Sequence, residues 1–141
     1  MLWRLPEVGT TFLNADNDGK GFSIEKGDVL PINLVYEFAR TEYRKVSQQY
    51  LEFQGAGYTL SNTILNWLNM AEQNLTQAES YQQRGLESNS AVYSYKVLTN
   101  VIKAREQLVL EIAQQDIEKY RKGDTTLVLI DDKGNRLSNA Q

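Results

Sequence analysis

The stretch from Ser90 to Lys122 constrains the fold more than any other part of the sequence. Apolar residues recur in it at steps of three, four or seven, and they form two neighbouring rows. The first row is Tyr95, Leu98, Ile102, Val109, Ala113, Ile117 and Tyr120, and the second is Val97, Val101, Ala104, Leu108 and Ile112. Such spacing is typical of an α-helix, and two adjacent rows make a face wide enough to contact two other helices. We therefore predict a helix of about 50 Å that forms the spine of the domain.

Two further helices are predicted before this spine. From Ile32 to Gln54 apolar residues recur every three or four positions, and the glycines of Gly55-Ala56-Gly57 end the helix. A second amphipathic stretch begins near Ser61, a suitable N-cap, and stops around Arg84-Gly85. Because short connections between long helices make neighbours antiparallel, the sequence predicts an up-down-up three-helix bundle over residues 31–122.

Both ends of the chain have a different character. Residues 1–30 are interrupted by glycine and proline, and Thr10–Leu13 is the only β-prone run, so we interpret them as the irregular and β-structured tail of a preceding domain. Residues 123–141 contain Thr125–Ile130, an apolar and β-branched run, followed by a turn sequence. We interpret them as the start of a following domain. The predicted fold class is mainly α, with short β segments at both ends.

Composition excludes several classes of function. The sequence has neither cysteine nor histidine, so disulfides, thiolate sites, cysteine nucleophiles and the usual serine triad are excluded. The 15 basic and 18 acidic residues give a net charge of −3, and the basic residues are scattered. We therefore expect no nucleic-acid partner. No apolar run approaches the roughly 18 residues of a membrane span, so we expect no membrane partner. We also expect no intrinsic catalytic activity.

An acidic stretch near the N-terminus has two interpretations. Asn14, Asp16, Asp18 and Glu25 stand at positions 1, 3, 5 and 12 of a twelve-residue segment with Gly19 at position 6, as in an EF-hand loop. Calcium takes six to eight oxygen ligands, and the glycine permits the sharp turn. We expect no cofactor, and calcium is the one alternative that the sequence suggests. The preferred interpretation is an Asn/Asp/Gly turn within a β-hairpin.

Aromatic residues offer a candidate carbohydrate contact. Tyr36, Tyr43 and Tyr50 recur every seven residues and so align on one side of the first helix, while Trp67 widens the apolar stripe of the second. Aromatic rings of this kind can stack on the C–H faces of sugars. The alternative, which we favour for the tyrosines, is that they cover an edge of the core while their hydroxyls reach water.

Arg105 interrupts the apolar face of the long helix. If it were buried, it would need a carboxylate such as Glu42 or Glu72. The preferred interpretation is that its side chain extends along the edge of the face into solvent.

A family resemblance comes from the end of the long helix onward. The run Ile117-Glu-Lys-Tyr-Arg-Lys-Gly123-Asp124, then Thr125–Ile130, Asp131-Asp-Lys-Gly134 and Leu137-Ser-Asn-Ala140 resembles the segment that leads into the catalytic barrel of xylanase-like proteins of glycoside hydrolase family 10. In that family a basic helix end and Gly-Asp are followed by a strand, an Asp-x-x-Gly turn and usually a proline. Arg136 stands where that proline is common.

The resemblance implies a place in a larger protein. The catalytic glutamates of that family lie at the ends of barrel strands, which would fall beyond Gln141. The chain would then be a non-catalytic accessory or spacer module of a secreted polysaccharide-degrading enzyme, extracellular or at the cell surface. Its expected partners are neighbouring domains of the same polypeptide and a polysaccharide. The alternative is a helical interaction or dimerisation module, with a homodimer as its simplest form and no carbohydrate role.

Overall fold

A computed structural model describes residues 1–120. Its elements in chain order are β1 (Leu2–Leu5), β2 (Gly9–Phe12), α1 (Leu34–Gly55), α2 (Asn62–Gln83) and α3 (Glu87–Tyr120). Short connections over 56–61 and 84–86 join the helices. Because the three helices contain most of the described residues, the described chain is mainly α. This confirms the predicted three-helix fold class. The strand predicted at 125–130, and the domain start predicted at 123–141, lie outside the described residues.

The helix boundaries follow local signals close to those predicted. Helix α1 begins after Asn33, whose side-chain oxygen accepts a hydrogen bond from the Tyr36 N–H at 3.3 Å. Gly57 and Gly85 have φ of +92° and +72° just beyond the ends of α1 and α2, a conformation that glycine adopts without strain. Helix α3 starts earlier than predicted, at Glu87, because the Ser90 N–H already bonds to the Leu86 carbonyl at 3.0 Å.

The N-terminal segment forms a β-hairpin, of which the sequence pattern predicted only the second strand. Strand β2 overlaps the predicted β-prone run, but β1 was not predicted; it pairs with β2 in antiparallel register, with Leu2 opposite Phe12 and Leu5 opposite Gly9. The acidic stretch after β2 forms a turn over residues 17–20 but is not part of this hairpin, and the residues after it, up to α1, form no strand. The preferred hairpin interpretation of that stretch was therefore wrong.

One apolar core joins the hairpin to all three helices. Leu5 and Leu13 are buried in the same cluster as Phe38 of α1 and Ile64 of α2, and the ring of Trp3 meets that of Phe38 edge-on, with centroids 5.5 Å apart. On α3 the buried positions include Val97, Leu98, Val101, Ile102, Ala104 and Leu108.

The two predicted rows of α3 have different surroundings. The second row is buried from Val97 to Leu108, as expected for a packing face. The first row is buried only at Leu98 and Ile102, and from Val109 to Tyr120 it is exposed. The face that we expected to contact two other helices is therefore buried only as far as Ile102 in the first row and Leu108 in the second. On that side of α3 the hairpin lies against Lys103 and Arg105, before the exposed part begins.

Candidate functional site

A groove between α2 and α3 contains the predicted sugar-contact residue Trp67. The groove has a volume of about 440 Å³, and its wall is completed by the turn of the hairpin at Pro6 and Glu7. Tyr95 and Asn100 of α3 also line it. Aromatic rings beside amide and charged side chains are the combination that binds sugars, which present C–H faces and hydroxyls together.

One cation lies over the Trp67 ring. The Lys103 Nζ is 5.0 Å from the ring centroid and 3.2 Å from the Glu7 Oε2. The Glu7 carboxylate lies beside Lys103 because it stands in the hairpin turn, where Glu7 and Gly9 both have positive φ, at 69° and 84°. Lys103 therefore covers one face of the indole. A sugar stacking on that face would have to displace a half-buried lysine from its ion pair with exposed Glu7, which costs little because ion pairs and cation–π contacts near the surface are weak.

The three predicted tyrosines lie elsewhere on the bundle. Tyr36 and Tyr50 are buried, at 9% and 8% exposure, and Tyr43 is half-buried. Burial, with a smaller contribution from Glu79, raises the pKa of Tyr36, so its hydroxyl stays protonated. None of the three lines the Trp67 groove. The candidate carbohydrate site is thus Trp67 with Tyr95 and Lys103. The sequence pattern assigned Tyr95 only to helix packing, and it did not single out Lys103.

The acidic loop is held against α1 by two arginines. The carboxylate of Asp16 accepts hydrogen bonds from the Thr41 hydroxyl at 3.1 Å and from Arg44 at 2.6 Å, and Asp18 pairs with Arg40. Within the loop, the Gly21 N–H bonds to the Asp16 carbonyl at 2.8 Å. These contacts fix the loop on the surface of the bundle.

The predicted calcium ligands are not gathered around one point. Among residues 1–120 no group of three or more acidic side chains is arranged to hold a metal ion. The Glu25 side chain is exposed, and Asn14 uses its backbone N–H to contact Glu42 Oε1 at 3.5 Å. A calcium ion at this loop would have to displace Arg40 and Arg44 from their carboxylates.

Two carboxylates beside these arginines have opposite pKa shifts. Burial raises the pKa of Asp16, but hydrogen bonds from Thr41 and the Gly19 backbone and the charge of Arg44 outweigh it, so the pKa lies below its ordinary value. Burial raises the pKa of Glu37, and the nearby charge of Arg40 only partly compensates. The Glu37 Oε2 is buried without a hydrogen-bond partner. Folding therefore disfavours the ionised form of the Glu37 carboxyl relative to the unfolded chain, which places its pKa above the ordinary value.

Arg105 connects three elements. Its guanidinium lies 3.4 Å from the Oε2 of buried Glu42 on α1 and donates to the Thr11 hydroxyl on β2 at 3.2 Å. The side chain is thus paired with Glu42, the partner we considered if it were buried, and the preferred interpretation of a solvent-directed side chain was wrong. The pairing could not be found by helical periodicity because it links distant parts of the chain.

The connection between α1 and α2 is fastened to α3. The Glu111 carboxylate accepts hydrogen bonds from the Ser61 N–H at 2.9 Å and the Ser61 hydroxyl at 2.5 Å. Nearby, the Tyr58 hydroxyl donates to Asp116 at 2.7 Å, and the Gln115 amide exchanges two hydrogen bonds with the Thr59 backbone. Ser61 is the N-cap residue of α2, as predicted. Its hydroxyl, however, bonds to Glu111 of α3 and makes no capping hydrogen bond to α2.

Comparison with protein families, with curated proteins and with solved structures gave no match for this chain. Within residues 1–120, none of the helices combines the length and the apolar character that a membrane span requires.

Proposed function

We propose that this chain is a non-catalytic helical spacer of a secreted, xylanase-like glycoside hydrolase of family 10. The observation that carries the proposal is the continuity of α3, which runs for 34 residues from Glu87 to Tyr120 without interruption. A helix of that length spans about 50 Å, and its hydrogen bonds fix the distance between its ends better than a flexible linker does.

Contacts along α3 support this mechanical role. Near its middle, Arg105 holds the hairpin and α1. About one and a half turns further on, Glu111 begins the contacts with the α1–α2 connection. Because both contact regions use side-chain hydrogen bonds to buried or backbone partners, bending α3 would break several of them together. In a longer polypeptide, the hairpin and the C-terminal end of α3 at Tyr120 would therefore keep a constant separation.

The carbohydrate context comes from the resemblance of residues 117–140 to the segment before a family 10 barrel. Gene sequence on either side of the segment encoding residues 1–141 tests it. We expect a barrel-coding region downstream, with two glutamates at the ends of barrel strands. A stop codon shortly after Gln141, or an unrelated downstream domain, would overturn this part of the proposal.

Direct contact with polysaccharide is proposed for the Trp67 groove. Isothermal titration of the chain with xylohexaose is expected to give weak binding that Trp67→Ala abolishes. The matched control is Phe22→Ala, which removes an exposed aromatic ring that does not line the groove. If titration with millimolar xylohexaose released no heat of binding, the proposed carbohydrate contact would be refuted. The proposed spacer role would then depend on the gene sequence alone.

The second candidate function is a helical self-association module. It is favoured by one specific observation, the exposed part of the first apolar row of α3 between Val109 and Tyr120.

A further inference from the structure

The C-terminal part of α3 has a mainly apolar stripe on its solvent side, with one glutamate at its N-terminal end. Its members, Glu106, Leu110, Ala113, Ile117 and Tyr120, follow one another at alternating steps of four and three, and we call them the outer stripe. Residues spaced in this way lie on one side of a helix, and the same spacing forms the seam of coiled coils. Leu110 is 65% exposed and Ile117 is 43% exposed.

The outer stripe is contiguous, which distinguishes it from ordinary exposed apolar residues. Val109, also exposed, widens it, and it continues for about four turns. Single exposed apolar side chains are normal on protein surfaces, whereas contiguous patches mark interaction sites. The buried residues of α3 pack in the core with α1 and α2, and the hydrogen bonds from the hairpin reach α3 at Lys103 and Arg105. On the side towards α1, Val109 and Ala113 border a groove that Gln49 and Phe53 also line.

We propose that the outer stripe binds the same stripe of a second copy of this chain, with the two α3 helices antiparallel and crossing at Ala113. The small side chain of Ala113 at the centre lets the two helices approach closely. Two-fold symmetry about this point sets Val109 of one copy level with Ile117 of the other, so that apolar groups meet on both sides of the crossing.

Charge complementarity favours a second copy of this chain as the partner and an antiparallel orientation of the two helices. The outer stripe has one acidic member, Glu106, at its N-terminal end, while at its other end the Lys119 Nζ lies 4.8 Å from the Tyr120 ring centroid. In the antiparallel pair, Glu106 of each copy lies level with Tyr120 and beside Lys119 of the other, so a hydroxyl and a cation face the carboxylate. A parallel, in-register pair would instead place Glu106 against Glu106. Antiparallel helices also oppose their dipoles.

The interface is small, so the dimer is expected to be weak. Four turns of two helices bury less than the roughly 1,200 Å² of a standard protein interface. Sedimentation equilibrium between about 10 µM and 1 mM of the 141-residue chain is expected to show a concentration-dependent monomer–dimer equilibrium. The double variant Leu110→Gln with Ile117→Gln is expected to weaken dimerisation at least tenfold.

A matched control separates the outer stripe from general surface hydrophobicity. Val92 lies on the same helix and is 56% exposed, but it is not a member of the stripe. Val92→Gln is therefore expected to dimerise like the unaltered chain. A chain that stays monomeric at about 1 mM would overturn the proposal, and this is the result expected if other residues of the same chain cover the stripe. Equal effects of the stripe variant and the Val92→Gln control on dimerisation would also overturn it.

The cysteine-free sequence permits a clean test of orientation. Ala113→Cys alone is expected to form a disulfide-linked dimer on oxidation, because the symmetry axis passes beside this residue. Glu106→Cys or Tyr120→Cys alone is expected to stay monomeric on non-reducing gels, whereas a mixture of these two variants gives a cross-linked heterodimer. Efficient self-cross-linking of Glu106→Cys would show a parallel pair and overturn the antiparallel arrangement.

Discussion

Replacing Arg105 by alanine is expected to destabilise the chain because it leaves a buried carboxylate without its cation. The Glu42 side chain is only 6% exposed, and its remaining contact is a long one, 3.5 Å from the Asn14 N–H. Removing one partner of a fully buried ion pair costs about 3–5 kcal/mol. Because the Arg105 side chain is itself 32% exposed, we expect about 2–3 kcal/mol.

Urea denaturation followed by circular dichroism measures this loss. With a slope of about 2 kcal/mol per M, the middle of the range for a small domain, the midpoint should fall by about 1–1.5 M. Arg4→Ala, which removes an exposed arginine of β1, is the control and should stay within about 0.5 kcal/mol of the unaltered chain.

A double replacement separates the charge effect from loss of packing. Glu42→Gln combined with Arg105→Met removes both charges and keeps similar volumes, so it is expected to recover most of the stability lost in Arg105→Ala. If Arg105→Ala were as stable as the Arg4→Ala control, the interaction that we assign to the Arg105 side chain would be refuted.

Other contacts give further predictions. Glu111→Gln should cost about 1–2 kcal/mol in urea denaturation, because a neutral amide accepts the Ser61 hydrogen bonds more weakly; an unchanged midpoint would contradict this. Asp16→Asn should destabilise at neutral pH, and the cost should vanish as pH falls through the lowered pKa of Asp16. Glu37→Gln should instead stabilise the chain. This gain in the free energy of unfolding should be greatest at neutral pH and shrink as acid protonates the Glu37 carboxyl of the unaltered chain, whose pKa is raised. Parallel pH profiles for these two variants would rule out the assigned environments. Trp3→Ala should cost about 2–3 kcal/mol in the same denaturation assay, because the hairpin shares the core; a cost below about 0.5 kcal/mol would show that it does not.

The helices could be predicted from sequence because their signals are local. Apolar spacing located α1, α2 and α3, and the glycines at 57 and 85 marked two of their ends. Helix α3 was predicted to start at Ser90 because Glu87 to Asn89 are polar, yet polar residues are readily accommodated in an exposed first turn.

Features that depend on distant partners could not be predicted. Strand β1 has the sequence LWRL, which lacks β-branched residues, and its pairing with β2 stabilises it. Asp16 and Arg44 are 28 residues apart, so the sequence showed an acidic loop without the arginines that hold it. The exposure of Val109 and Ile117 also depended on where the hairpin lies, which the spacing of apolar residues on α3 could not reveal.

The Trp67 groove shows the same limit at the candidate site. The tryptophan itself was singled out by residue type, but Lys103 and Glu7 reach it from α3 and from the hairpin turn. Sequence separation of 96 residues between Glu7 and Lys103 left no local pattern to detect.

The rigidity of α3 is the central claim, and a distance distribution measures it most directly. Val92→Cys and Lys119→Cys introduce two labelling sites, both exposed, into a chain that has no cysteine. Double electron–electron resonance between nitroxides at these sites, with the labelled chain diluted in unlabelled chain, reports their separation within one molecule. We predict a single narrow distribution near about 40 Å, from 27 residues of unbroken helix. A broad distribution, or one centred well below that distance, would contradict the account.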